Sequence, residues 1–190
     1  MERRAVDAVL TCLARHGLTK TTLEDVAREA GCGRATLYRY FESKQDLVEV
    51  ALWSEVDRFS RTLRAAVREV ANLEDAIVTT ILVSARELTS HAGLRYVLDF
   101  EPEVILPHLA FEAADLLLGA AASILAPGLA PYLPADRADR AAEWVARVLL
   151  AYLFRPDSSS LTDESDVRAL VHELVLPGVA PSSLLSATRG

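Results

Sequence analysis

This sequence predicts an all-α protein, on three observations. Apolar residues recur at i, i+3 and i+4 through most of its 190 residues. Nothing alternates with period two over a useful length, so no sheet is expected. Near the beginning, Thr22 to Lys44 (TLEDVAREAGCGRATLYRYFESK) reads as two short helices joined by a tight glycine-containing turn.

That segment can be argued residue by residue. Thr22 has Asp25 three residues on, the pattern of a capping box that opens a helix. Val26, Ala27 and Ala30 share an apolar face, with Ala27 small enough for a close helix crossing. Gly31 ends the helix where a left-handed backbone is needed, and Cys32 supplies a small apolar plug. In the second helix Leu37, Tyr40 and Phe41 stand at i, i+3 and i+4 and share the inward face. Arg34, Ala35, Tyr38 and Arg39 then point outward, with Thr36 at the border. Ser43 and Asp46 repeat the capping pattern and open a third helix. An outward face of Arg, Thr, Tyr and Arg suits phosphates and base edges, as in a helix-turn-helix seated in the DNA major groove.

At these residues the chain resembles the TetR/AcrR family of bacterial transcriptional regulators. The match covers roughly residues 3 to 50, and its most specific part is GRATLYRYFESKQDL, with its Tyr38-x-x-Phe41-x-x-Lys44 spacing. The resemblance implies an N-terminal three-helix DNA-binding domain, residues 1–47, and a C-terminal helical effector-binding and dimerisation domain, residues 48–190. Two departures stand out. Only Glu2, Arg3 and Arg4 precede Ala5, so no minor-groove arm is expected. Cys32-Gly33 replaces the common aliphatic-Ser pair, which removes a side-chain cap from the second helix; Gly in its place costs a few tenths of a kcal/mol.

Composition agrees. Hydrophobic residues make up 51% and charged residues 25%, enough for a packed core and unlike a disordered chain. The net charge of −7 is unevenly spread: residues 1–47 carry eight Lys/Arg and seven Asp/Glu, residues 48–190 twelve and twenty. Glu24, Asp25 and Asp46 fall in first helical turns, where the helix dipole favours them. Cys12 and Cys32 belong to no CxxC or Cys/His cluster and read as packing residues, so neither a metal site nor a cofactor is expected. His16, His91, His108 and His172 are scattered and form no Ser-His-acid set, which argues against an enzyme. The helical pattern begins almost at Met1, so no signal peptide is expected. The uncharged stretch between Asp115 and Asp136 is broken by Pro127, Pro131 and Pro134 and is too short to span a bilayer; a cytoplasmic location is expected.

Beyond Ser43 the pattern is helix after helix. A long helix from about Lys44 to Val70 has Leu47, Val50, Ala51, Phe59, Leu63 and Val67 on its apolar side. Another spans Leu73 to Ser90, with Ile77, Ile81, Ser84 and Leu88 on one face. Gly93 breaks the chain ahead of a short helix carrying Leu94 to Phe100. Pro102 and Pro107 make a kinked connector. His108 to Ala126 is an apolar helix, followed by a Pro-rich loop to Pro134. A helix from about Ala135 to Phe154, a polar loop over 155–160, and a last helix capped by Thr162 and ending near Leu174 complete the chain.

Two stripes in this half have the spacing of packed faces: Ala138, Ala141, Ala142, Val145, Leu149 and Tyr152, then Val167, Leu170, Val171 and Leu174. Such stripes suit core or interface. The family resemblance implies interface, because its members dimerise through their last two long helices. It also implies an effector pocket, for which Ile81, Tyr96, Phe100, Phe111 and Leu117 are apolar candidates and Arg86 and His108 polar anchors. Asp99, Glu101 and Glu103 form an acidic run that suits a solvated turn or a cationic effector.

The resulting expectation is a homodimeric repressor on a pseudo-palindromic double-stranded operator, released by a small, hydrophobic effector. Arg34, Ala35, Thr36 and Arg39 would face base edges or phosphates, and Thr22, Tyr38 and Lys44 would hold phosphates. The alternative is a helical interaction protein that keeps the fold and no longer binds DNA.

Overall fold

The computed structural model describes residues 1–105, 111–153 and 161–179, and every regular element among them is helical. By packing, the chain divides into two units, Met1–Phe59 with Thr89–Leu109, and Ser60–Leu88 with Ala110–Gly190.

The first unit is built on α1 (Glu2–Lys20), α2 (Leu23–Glu29), α3 (Arg34–Tyr38) and the start of α4 (Lys44–Val67). Ala5, Val6, Val9 and Cys12 from α1, Val26 and Ala27 from α2, Leu37, Phe41, Leu47 and Ala51 form one buried cluster. Burial, then the charges of Glu29 and Asp25, push the Cys12 thiol pKa up. The capping box is present: Thr22 Oγ1 accepts from the Asp25 N–H, and the Asp25 carboxylate accepts from the Thr22 N–H. Gly31 takes the left-handed φ of 60° expected of it. At the head of α4, Ser43 Oγ accepts from the Asp46 N–H at 3.1 Å.

α1 is not continuous. Gly17 has φ 76° and ψ 179°, which only glycine adopts without strain, and the chain turns there before one further helical turn. α6 (Ala92–Phe100) packs along α1. Gly93 is inside α6 and buried, not a break. A Cβ at Gly93 would lie 3.6 Å from the Cβ of Leu13, an ordinary van der Waals contact, so the helix continues through Gly93 beside α1. The break falls at His91, whose Nδ1 accepts from the Leu94 N–H at 3.0 Å and caps α6. The connector contains a single turn, α7 (Pro102–Ile105), with Pro102 at a first-turn position where it needs no N–H.

The second unit draws on the rest of α4, α5 (Leu73–Ser90), α8 (Phe111–Leu129), α9 (Ala135–Leu153), α10 (Glu164–Leu170), a π-helical turn (Val171–Val175) and α11 (Leu176–Val179). α5 buries Ile77, Ile81 and Ser84 as its spacing predicts. α4 ends at Val67, short of the expected Val70, whose carbonyl accepts from the Tyr132 hydroxyl at 2.7 Å. α8 runs through Pro127 to Leu129 instead of stopping at Ala126; Leu125, Ala126 and Leu129 are buried and hold the last turn despite the proline. The cap of α10 is Asp163, not Thr162: its carboxylate accepts from the N–H groups of Ser165 and Asp166. The last helix also passes Leu174 by way of the π turn, and Pro177 falls in the first turn of α11. Arg168 joins α10 to α5 through Asp75 at 2.7 Å, with Glu164 at 2.9 Å on its other nitrogen; these bonds raise its already high pKa. No described helix is long and apolar enough to cross a membrane.

Candidate nucleic-acid interface

α3 is short, and its sequence decides which way it faces. Leu37 is fully buried and Phe41 is 3% exposed, each contributing about 1.5–3 kcal/mol of apolar burial. With those two anchored, Arg34, Ala35, Tyr38 and Arg39 are exposed and Thr36 is half-exposed, as predicted. Tyr40 is not an inward residue. The helix ends at Tyr38, so the i+3 relation to Leu37 no longer sets its direction, and the ring is 50% exposed. A buried tyrosine hydroxyl would also need a partner, which this apolar cluster lacks.

Arg34 is held at three points. Its Nη1 pairs with Glu24 Oε1 at 2.5 Å, its Nη2 donates to the Tyr38 hydroxyl at 3.3 Å, and its guanidinium lies 5.3 Å from the Tyr38 ring centroid. The Tyr38 bond and the Glu24 charge raise its pKa further. The Arg39 guanidinium has no hydrogen-bond or ion-pair partner among the described residues, and its backbone N–H donates to the Thr36 carbonyl. No side-chain cap opens α3, whose N-cap is Gly33, as the sequence indicated.

Thr22 and Lys44 are engaged within the protein. The Thr22 hydroxyl donates to Asp25 Oδ2 at 2.6 Å, and these bonds hold the Asp25 carboxyl below the usual carboxylate range. Lys44 Nζ donates to the carbonyls of Leu18 at 2.9 Å and Thr19 at 3.5 Å. Sequence reasoning missed three residues that shape this unit. Arg4 donates to the carbonyls of Ala30 and Gly31 in the turn before α3. Glu24 pairs with Arg34. Glu101, 6% exposed, accepts from the N–H groups of Leu18 and Thr19. Arg4 reaches across 26 residues and Glu101 across 83, and Glu24 meets Arg34 on a different helix, all beyond what spacing within one helix can signal.

The effector candidates are spread over both units. Tyr96 and Phe100 stand in the first, stacked with ring centroids 4.9 Å apart; Tyr96 lies close over Gly17, and Phe100 is 69% exposed. Ile81, buried, Arg86, exposed, and Leu117, half-buried, belong to the second. His108 and the Phe111 side chain lie outside the described residues. Of the acidic run, Glu101 serves the α1 kink. A separate groove of about 480 Å³ between α8 and α9 is lined by Asp115, Ser123, Asp139 and Glu143. In the C-terminal stripes, Ala138, Ala142, Val145, Leu149 and Val167 are buried within the chain's own second unit, Tyr152 and Leu170 are half-buried, and Leu174 is 65% exposed. That part of the stripes is core because α8 packs along α9, and α10 continues through the π turn into α11, which touches α9. Trp144, 50% exposed, is a large apolar side chain that α9 leaves outside.

A three-helix unit whose third helix and its C-cap present Arg34 and Arg39 on one polar face has the form of a helix-turn-helix DNA-binding unit. Residues 5–51 match the family of bacterial regulatory proteins of the tetR type. An HTH-type transcriptional regulator of Mycobacterium tuberculosis strain H37Rv is 27% identical over 187 residues, covering 98% of this chain and 89% of that one. The HTH-type transcriptional regulator BetI of Agrobacterium fabrum is 32% identical over 115 residues, 58% of this chain and 50% of its own. Among solved structures, the TetR family repressor AlkX of Dietzia sp. strain DQ12-45-1b, implicated in biodegradation of n-alkanes, aligns at TM-score 0.65 and 23% identity over 94% of this chain and 96% of that one. The regulator FadR of Bacillus subtilis, solved with stearoyl-CoA, aligns at TM-score 0.59 and 17% identity over 90% and 97%. Residues 5–51 thus carry the pattern of the tetR-type regulatory proteins, and the chain as a whole shares its helical fold with TetR-family structures.

Proposed function

We propose that the protein is a homodimeric repressor, with residues 1–47 binding a pseudo-palindromic operator and residues 48–190 carrying effector binding and dimerisation. The observation that carries this reading is the α3 surface, where Arg34, Ala35, Thr36, Tyr38 and Arg39 share one exposed face over an anchored Leu37 and Phe41. Arg34 and Arg39 read guanine edges or hold phosphate; a bidentate arginine–guanine contact discriminates by about 1–3 kcal/mol. Thr36 and Ala35 meet base edges or a thymine methyl. Tyr38 and Lys44 hold phosphates, and Thr22 does so by turning its hydroxyl from Asp25. A five-residue recognition helix reads few bases, so two copies on successive major grooves about 34–36 Å apart supply the selectivity. The partner surface includes the exposed Trp144 and Leu174, since most of the small-residue stripe is already core.

The effector in this reading is hydrophobic or amphipathic. Its support is the apolar make-up of the second unit and the apolar ligand or pathway named for FadR and AlkX. It acts by changing the spacing of the two recognition helices through α4, and the coupling is reciprocal: operator weakens effector binding by the same factor as effector weakens operator binding.

The test is fluorescence anisotropy on the DNA immediately upstream of the protein's own gene, across a salt series, beside random DNA and Arg39→Ala. Sequence-selective binding with a log–log salt slope of roughly −0.9 per neutralised phosphate supports the reading. Failure to select any duplex from a random pool refutes it and leaves a helical interaction protein.

A further inference from the structure

We propose that Glu24 is a specificity-determining residue, a buttress that holds Arg34 for base reading and keeps it off the phosphate backbone. The inference rests on Arg34 facing a base edge and adds to it the residue that makes its contact selective.

The argument starts from the donor inventory of a guanidinium. Arg34 has five N–H groups. One goes to Glu24 and one to the Tyr38 hydroxyl, leaving three. A guanine edge, with its O6 and N7 acceptors, needs only two. Base reading is therefore compatible with the pair staying intact. Phosphate binding is a different matter. A free arginine on a DNA-facing surface reaches any phosphate within the sweep of its side chain, and that contact is blind to sequence. Here the sweep is restrained. Glu24 stands in the first turn of α2, Arg34 and Tyr38 one turn apart on α3, and the guanidinium is tied to both helices while remaining 61% exposed. To follow a phosphate it must leave the carboxylate and the tyrosine ring together.

The carboxylate also changes the charge the surface presents. On random DNA the Arg34–Glu24 pair is close to neutral, so it adds little to the non-specific electrostatic attraction. On the operator the ordering of a long, flexible side chain has already taken place in the free protein, which favours the specific complex. Both effects act in one direction, raising the ratio of operator to random affinity without requiring Glu24 to touch a base.

The experiment uses the full-length protein, a duplex recovered by the wild type from a random-sequence pool, and a shuffled duplex of the same composition. Dissociation constants for both are measured for wild type, Glu24→Gln, Glu24→Ala, Arg34→Ala and Glu24→Gln/Arg34→Ala at one salt concentration. Glu24 is 45% exposed, so both single variants are expected to melt with the wild type. Glu24→Gln and Glu24→Ala should each lower the selectivity ratio about 3- to 5-fold, the order of effect of an exposed charge pair, and Glu24→Gln should leave the ratio unchanged once Arg34 is gone. If both duplexes tighten equally, Glu24 is only a negative charge near DNA and the proposal is overturned. It is equally overturned if the ratio falls as far in the Arg34→Ala background. Should Arg34→Ala itself leave the ratio intact, the base-reading assignment fails as well, a result separable from the other two.

Discussion

Glu101 and Lys44 grip the same short stretch of backbone. The Glu101 carboxylate accepts the N–H groups of Leu18 and Thr19 at 2.6 and 3.0 Å, and the Lys44 ammonium donates to the carbonyls of those same two residues. Glu101 closes α6, Lys44 opens α4, and the stretch between them follows the turn at Gly17. A break in α1 would leave peptide groups unpaired; these two side chains satisfy them from opposite signs of charge. The position of the first helix relative to the start of α4 is thus tied to a residue more than eighty positions away.

The bracket makes stability depend on pH. Burial works against ionised Glu101, but hydrogen bonds from the Thr19 hydroxyl and the Leu18 and Thr19 N–H groups outweigh it and hold the carboxyl below its ordinary value. A group depressed in the folded state stabilises fully above the unfolded pKa, about 4.3 for Glu, and loses that contribution as pH falls through the folded value. Glu101→Gln should cost roughly 1–3 kcal/mol at pH 7, with the difference from wild type shrinking below about pH 4. Urea melts from pH 3 to 7 would show it; a parallel offset at every pH would count against the bracket.

Gly17→Ala should be more damaging than an ordinary surface change. The backbone there has φ 76°, and an added Cβ would run into Tyr96 Cε1 and meet Glu101 Cδ at 2.7 Å. The strain alone is of order 1–3 kcal/mol. By contrast Gly119, in α8 with nothing within 4 Å of its Cβ position, should accept Ala with a gain of roughly 0.5–1 kcal/mol. A pair of thermal melts compares them.

Ser84 is 1% exposed and its hydroxyl has no hydrogen-bond partner among the described residues, whereas Thr80, one turn earlier, returns its hydroxyl to the Ala76 carbonyl at 2.7 Å. Removing an unpaired buried hydroxyl relieves a desolvation cost of about 1–3 kcal/mol. Ser84→Ala should raise the melting temperature; a loss of stability would mean the hydroxyl has a partner, such as a bound water.

Variants on the DNA face should separate by type of contact. Tyr38→Phe should weaken binding to all duplexes, and Arg34→Ala should relax preference at particular base pairs. Lys44→Ala should do two things at once, weakening binding uniformly and lowering the melting temperature, because its ammonium also holds the Leu18 and Thr19 carbonyls. Equal losses for Arg34→Ala on selected and shuffled DNA would remove its reading role.

Trp144→Glu or Leu174→Glu should shift the protein toward monomer in sedimentation at micromolar concentration, while Ala142→Glu, at a fully buried position, should unfold it. Unchanged sedimentation of the two exposed variants would place the interface elsewhere.

Local chemistry was legible in the chain, and long-range contact was not. The capping box at Thr22 and Asp25, the left-handed Gly31, the inward Leu37 and Phe41 and the outward Arg34, Ala35, Tyr38 and Arg39 follow from spacing within one or two helical turns. So do the limits of α5. These features need only neighbours in sequence, and the short, consistent signals point the same way. Tertiary packing decided the rest. Tyr40 left the core because α3 stops before its register reaches it. Gly93 entered a helix because α6 packs its buried face along α1, and α8 crossed Pro127 because buried leucines hold its last turn. Most of the alanine stripe of α9 became core, since periodicity identifies an apolar face without saying which surface covers it. Glu101 read as one acid in an exposed run, and Glu24 as a dipole partner; only folding brought the first to the Gly17 turn and the second to Arg34.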